Sequence, residues 1–146
     1  VAACRAPVAW PPCMEEGAGR LKAAGLSVCL LTDQPSALAE YLGRWNLGEP
    51  ICSPVTLLDG AQVAIEARFD KLANLRARLR EWGIAEGRVC HVGNGHNDVP
   101  VFQAVGGSVA AFATPDVAVA SPMNVGEVPN FAAILDAVLA MHPRRS

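Results

Sequence analysis

Short apolar runs alternate with amphipathic stretches along most of this chain, and that alternation restricts the fold more than any other feature. Leu26-Ser27-Val28-Cys29-Leu30-Leu31 reads as a buried strand. Residues 36–45 follow as a helix with Leu38, Tyr41, Leu42 and Trp45 on one face. Residues 69–82 give the clearest helix, with Phe69, Leu72, Leu75, Leu79 and Trp82 on its apolar side and Gly83 as its stop. Then come a strand over 88–92, a short helix over 98–105 with Val99, Phe102 and Val105 inward, and a strand from Ser108 to Ala113. Residues 130–141 form a last helix, packed through Phe131, Ile134, Leu135, Val138 and Leu139. Earlier in the chain, residues 1–10 predict a short strand and 13–24 a helix closed by Gly25. A further short strand is expected near Val117–Ala120. Strands alternating with helices fold as a parallel sheet covered on both faces. Residues 46–67 break the pattern: Asp59-Gly60 between two apolar pieces predicts a small β-hairpin insertion. The 146 residues fit one domain.

The polar residues that break this pattern fall at corresponding places. Thr32 ends the first apolar run, Lys71 opens the clearest helix, and Val92-Gly93-Asn94-Gly95-His96-Asn97-Asp98-Val99 follows the 88–92 strand. Ligands of parallel α/β sheets bind at the carboxyl ends of the strands, where Thr32 and the 93–98 loop would lie. A hydroxyl, an ammonium and a carboxylate beside a glycine turn suit a phosphate and its metal ion. Lysine neutralises phosphate oxygens, threonine donates a hydrogen bond, and Asp98 is the hard oxygen ligand that Mg²⁺ prefers. Each residue also has a plainer reading. Thr32 is a turn residue, Lys71 a solvated first-turn residue, Asp98 a helix cap, and Asp33 a cap after Thr32. Asn94 and Asn97 brace the loop, or Asn94 is a weak ligand. His91 reads as a strand residue and His96 as exposed.

These three motifs, in this order, resemble the haloacid-dehalogenase-like (HAD) superfamily. The likeness rests on Leu30-Leu31-Thr32, on Phe69-Asp70-Lys71, and on Gly93-Asn94-Gly95-His96-Asn97-Asp98 followed by Gly106-Gly107-Ser108-Val109-Ala110. It runs from about residue 11 to 140, with Asp59-Gly60 resembling the phosphoserine-phosphatase branch and residues 11–33 the phosphorylation domain of P-type ATPases. The resemblance implies a Rossmann-like three-layer core without a large cap domain. It also implies Mg²⁺-dependent hydrolysis of a small phosphorylated molecule, with Thr32 and Lys71 as catalytic residues and Asp98 and Asn94 at the metal. Gly93, Gly95 and Asn97 would support the loop.

Two departures bear on activity. The superfamily's nucleophile is the first aspartate of an Asp-x-Asp motif, and no two of the six aspartates here stand two apart. Asn94 stands where the superfamily usually has aspartate, which removes a negative charge from the metal site. The expectation is a phosphohydrolase domain that is weak or inactive as this chain, with a non-catalytic binding module as the alternative. The chain opens on Val1 rather than Met, so the expectation is a processed chain or a piece of a longer one.

Composition excludes other classes. A net charge of −2 gives no electrostatic case for nucleic acid or an anionic membrane. No apolar run reaches the roughly 18 residues that span a bilayer. Cys4, Cys13, Cys29, Cys52 and Cys90 form no C-x-x-C pair and no zinc spacing. Cys29 and Cys90, inside apolar runs, read as reduced core residues of a cytoplasmic protein. The resemblance implies that lack of the strand carrying Asp-x-Asp would leave a sheet edge open, and a homo-oligomer or a partner chain is expected there.

Overall fold

A computed structural model describes residues 13–35, 51–53, 55–58, 62–65, 69–127 and 130–141. Helix α1, Cys13–Ala23, carries Arg20 and Lys22 in its last turn, where a cation complements the helix dipole. It ends with Gly25 at φ 80° and the Leu26 N–H on Leu21 O at 3.0 Å, a turn that favours a residue without Cβ. Strand β1 is Leu31–Pro35 and pairs in parallel with β2, Ile51–Ser53. The expected strand over 26–31 is thus displaced toward the C-terminus. Leu26 packs with the α1 side of the fold, and strand pairing begins where Leu31 meets Ile51. The expected helix at 36–45 and strand at 1–10 lie outside the described residues.

The hairpin strands are β3, Val55–Leu58, and β4, Gln62–Ile65, antiparallel with Leu58 opposite Gln62. Ile51 belongs to the parallel pair and not to this hairpin.

Helix α2, Lys71–Trp82, starts from Asp70, whose carboxylate accepts the Ala73 N–H at 2.9 Å. It ends at Gly83 in the left-handed region. Leu75 and Leu79 are buried as the spacing predicts, but Trp82 is exposed and lies under the Arg78 guanidinium at 5.7 Å. A 3₁₀ turn at Glu86–Arg88 leads into β5, Cys90–Gly93. A second 3₁₀ turn, His96–Asp98, runs into α3, Val99–Ala104. Strand β6 is Gly107–Ala110, α4 is Pro115–Ala118, β7 is Met123–Asn124 and α5 is Phe131–Met141. The strand expected near Val117–Ala120 is the short helix α4. Pro115 in its first turn, Thr114 before it and Asp116 within it are helix-start signals that outweigh the alternation of Val and Ala.

Strands β5, β6 and β7 form a parallel sheet in that order, with Gly93 opposite Ala110 and Ala110 opposite Asn124. All four residues of β6 are buried, the mark of a central strand covered on both faces. Val109, fully buried, packs on Ala137 and Val138 of α5 together with Leu21 and Leu26. Ala110 faces Phe102 of α3 and Val117 of α4. A third cluster joins Leu75 and Leu79 of α2 to Ile51 and Val101, with Cys29 and Leu31 against it. Burying a side chain the size of Val109 contributes about 1.5–3 kcal/mol.

A close backbone approach fixes the entry to β6. Gly106 N–H donates to Glu86 O at 3.0 Å, and a Cβ on Gly106 would lie 2.0 Å from Gly87 O. Among the described residues no helix is long and apolar enough to cross a membrane.

Candidate active site

Lys71 and Asp98, two of the residues singled out in the sequence, meet at the loop after β5. Gly93 ends that strand, and a Cβ there would stand 2.5 Å from Asp98 Cγ, so the turn closes only around a residue without one. The space goes to the Asp98 carboxylate, which is 1% exposed. Its Oδ2 accepts the N–H groups of Asn94 and Gly95, each at 3.0 Å. The Gly95 contact reaches back three residues, as the acidic half of a capping box does. Its Oδ1 receives the Lys71 ammonium at 2.8 Å and meets His91 Nε2 at 2.8 Å. An ionised carboxylate only accepts, so His91 Nε2 carries the proton in this contact. Burial alone would raise the Asp98 pKa. Hydrogen bonds from His91, Lys71 and Gly95 outweigh it and hold the group well below the usual carboxylate range.

Lys71 is the first residue of α2, where the helix dipole disfavours a cation. Asp98 offsets that, and the pair is nearly dry, with side-chain exposures of 10% and 2%. His91 packs its ring against Phe102 at 5.6 Å between centroids. The expectation for His91, a strand residue, holds for its backbone. Its hydrogen bond to Asp98 is a contact that the sequence reading missed; its one signal is a histidine inside an otherwise apolar strand.

The loop reaches β1 through Asn97, whose amide donates to Asp33 Oδ2 at 3.0 Å. Asp33 therefore lies within β1 as the partner of Asn97. Thr32 is its half-buried neighbour in the same strand, where successive side chains point to opposite faces. Asn94 is exposed and enters the cluster through its backbone N–H. On the far side, His96 Nε2 lies 3.3 Å from Asp116 Oδ2, which links this loop to the one after β6. Thr114 donates to the same aspartate at 2.5 Å, and that bond leads the causes lowering its pKa.

The described residues do not by themselves fit a magnesium ion. Mg²⁺ takes about six oxygens and favours carboxylates. Asp98 already accepts four protein donors, and one of them is a cation that repels a second cation at the same oxygen. Asn94 offers a neutral amide. Among the described residues no group of three His, Cys, Asp or Glu side chains is placed to hold a metal ion.

No protein-family profile matches the chain, and no curated protein does. Solved structures do. The chain is similar to a probable phosphoserine phosphatase from Vibrio cholerae, with 21% identity over 92% of this chain and 44% of that one, at a TM-score of 0.72. A substrate-bound phosphoserine phosphatase matches at 22% identity over 84% of this chain and 60% of that one, TM-score 0.70. A HAD family hydrolase from Salmonella enterica serovar Typhi matches at 20% identity over 82% and 43%, TM-score 0.69. The chain thus has the α/β fold of the HAD hydrolases and phosphoserine phosphatases, and spans 43% to 60% of the length of these three.

Proposed function

We propose that this chain is the phosphate-recognising core of a HAD-like phosphohydrolase and that its ligand is a small phosphomonoester. The observation that carries the reading is the Lys71 ammonium, held 2.8 Å from Asp98 beside a glycine loop at the carboxyl end of a parallel strand. One ammonium proton is committed to Asp98, and the others are available to phosphate oxygens. Asp98, braced by His91 and two backbone N–H groups, orients the ammonium. Thr32 enters the reading as a hydroxyl donor only through the resemblance, on the strand that also carries Asp33.

We further propose that the chain by itself hydrolyses phosphomonoesters weakly or not at all. Attack by a carboxylate requires that nucleophile, and the 146 residues contain no Asp-x-Asp. A magnesium requirement would need ligands other than the described ones, so no step is assigned to a metal. The alternative, a non-catalytic module that binds a phosphorylated ligand, is favoured by the complete occupancy of Asp98 by protein donors.

The test is titration with inorganic phosphate followed by NMR, beside an aryl-phosphate hydrolysis assay with and without chelator. The expected result is phosphate binding centred on Lys71 and the 93–98 loop, weakened about tenfold or more in Lys71→Met, and turnover near background. Absence of phosphate binding by the folded chain refutes the recognition reading. Robust chelator-sensitive turnover refutes the proposed weakness.

A further inference from the structure

Asn94 is followed directly by Gly95, and no other asparagine of the chain precedes a glycine. That pairing carries a chemistry of its own. The backbone nitrogen of the second residue can attack the side-chain carbonyl carbon of the first, and a glycine there puts no Cβ in the way of the ring that results. Asn94 is exposed, so water reaches it. Its side-chain amide has no hydrogen-bond partner among the described residues, and nothing there ties it away from the backbone.

The folded loop opposes that attack. Asp98 Oδ2 accepts the N–H groups of Asn94 and Gly95, each at 3.0 Å. The Gly95 nitrogen must shed its proton and gather negative charge as it bonds, and a carboxylate 3.0 Å away raises the cost of that charge. Two successive N–H groups on one oxygen also fix the backbone on both sides of the reacting peptide, with Gly95 held extended at φ −113° and ψ 167°. The carboxylate is itself anchored through Oδ1 by Lys71 and His91, each at 2.8 Å.

We propose that Asn94 is a site of spontaneous deamidation, and that the Asp98 carboxylate holds the reaction back by occupying the Gly95 N–H. The Gly95 nitrogen bonds to Asn94 Cγ, the side-chain nitrogen leaves as ammonia with the proton from Gly95, and a succinimide remains. Water then adds to one of the two ring carbonyls and opens the ring to aspartate or isoaspartate. Aspartate adds a negative charge next to the loop's existing carboxylate. Isoaspartate lengthens the backbone by one carbon between the two N–H groups that share Oδ2, which undoes their common hold on Asp98. The proposal stands apart from the phosphate-recognition reading, since it needs no ligand.

The test follows Asn94 by peptide mass mapping while the whole chain stands in mildly alkaline buffer. Unfolded in guanidinium chloride, the chain should release ammonia and yield both aspartate and isoaspartate at 94. The native wild type should convert about tenfold or more slowly, because the reaction waits on opening of the loop. Asp98→Asn, assayed folded, removes the charge beside the Gly95 nitrogen and should recover most of the unfolded rate. Leu135→Ala cuts back a buried side chain of α5, controls for lost stability, and should stay near the wild type. No conversion at 94 in the unfolded chain overturns the site. A native rate equal to the unfolded one overturns the protection, whether or not Asp98→Asn folds. Asp98→Asn as slow as the wild type, or Leu135→Ala as fast as Asp98→Asn, overturns the part given to Asp98.

Discussion

Two ion pairs of nearly equal length, both made by one helix, hold it in different ways. Lys71 lies 2.8 Å from Asp98 and Arg76 lies 2.7 Å from Glu86, both cations on α2. The first pair is almost dry, and the second is open to water, at 45% and 36% exposure. Arg76 even grips Glu86 with two nitrogens, the second at 3.2 Å, and the mutual hydrogen bond raises the Arg76 pKa and lowers that of Glu86. Yet water can replace either partner at the surface, whereas nothing can replace a partner inside the loop. The difference teaches that contact length says little about energy, and that removing one member of a dry pair leaves an uncompensated charge.

The sharpest way to break this contrast is Asp98→Asn. It leaves the buried Lys71 without its carboxylate and is expected to destabilise the chain by about 3–5 kcal/mol, read from urea unfolding. A loss below about 1 kcal/mol would place the pair with ordinary surface bridges. The same residue sets an acid limit. A carboxyl group whose folded pKa is depressed lends stability that is complete above its unfolded value of about 3.9 and is lost as pH falls toward the folded value. Wild-type stability should therefore fall more steeply below about pH 4 than that of Asp98→Asn. Parallel acid limbs in the two proteins would contradict the assignment.

Gly93→Ala sharpens the contrast without touching a charge. Its Cβ would press on Asp98, which four donors hold in place, and a loss of about 1–3 kcal/mol is expected. At the weak end, Arg76→Ala should leave the unfolding midpoint within measurement error at physiological salt. A clear drop there would mean that the exposed pair is better screened from water than its accessibility indicates.

The sequence made some of this legible and hid the rest. The α2 face was readable because Leu75 and Leu79 recur at helical spacing, and Gly83 stops the helix by local backbone preference alone. The hairpin strands flanking Asp59-Gly60 were readable for the same local reason. Where pairing partners decide, the reading slipped. The apolar run 26–31 drew the strand too early, since the register with Ile51 begins at Leu31. In the site, Lys71, Asp98 and the glycines were identified by their places at element ends. The His91 contact, the Asn97–Asp33 bond and the left-handed Phe112 were not, because each depends on residues that only the folded chain brings together.

The meeting of Gly106 with Gly87 bears on how such a sequence can drift. Neither backbone can yield without shifting the entry to β6 or the turn that precedes β5. Any side chain at 106 has to be accommodated elsewhere first, so that position is expected to stay fixed while the surfaces around it diverge. A lineage that changed it would carry the record of an earlier rearrangement at residue 87.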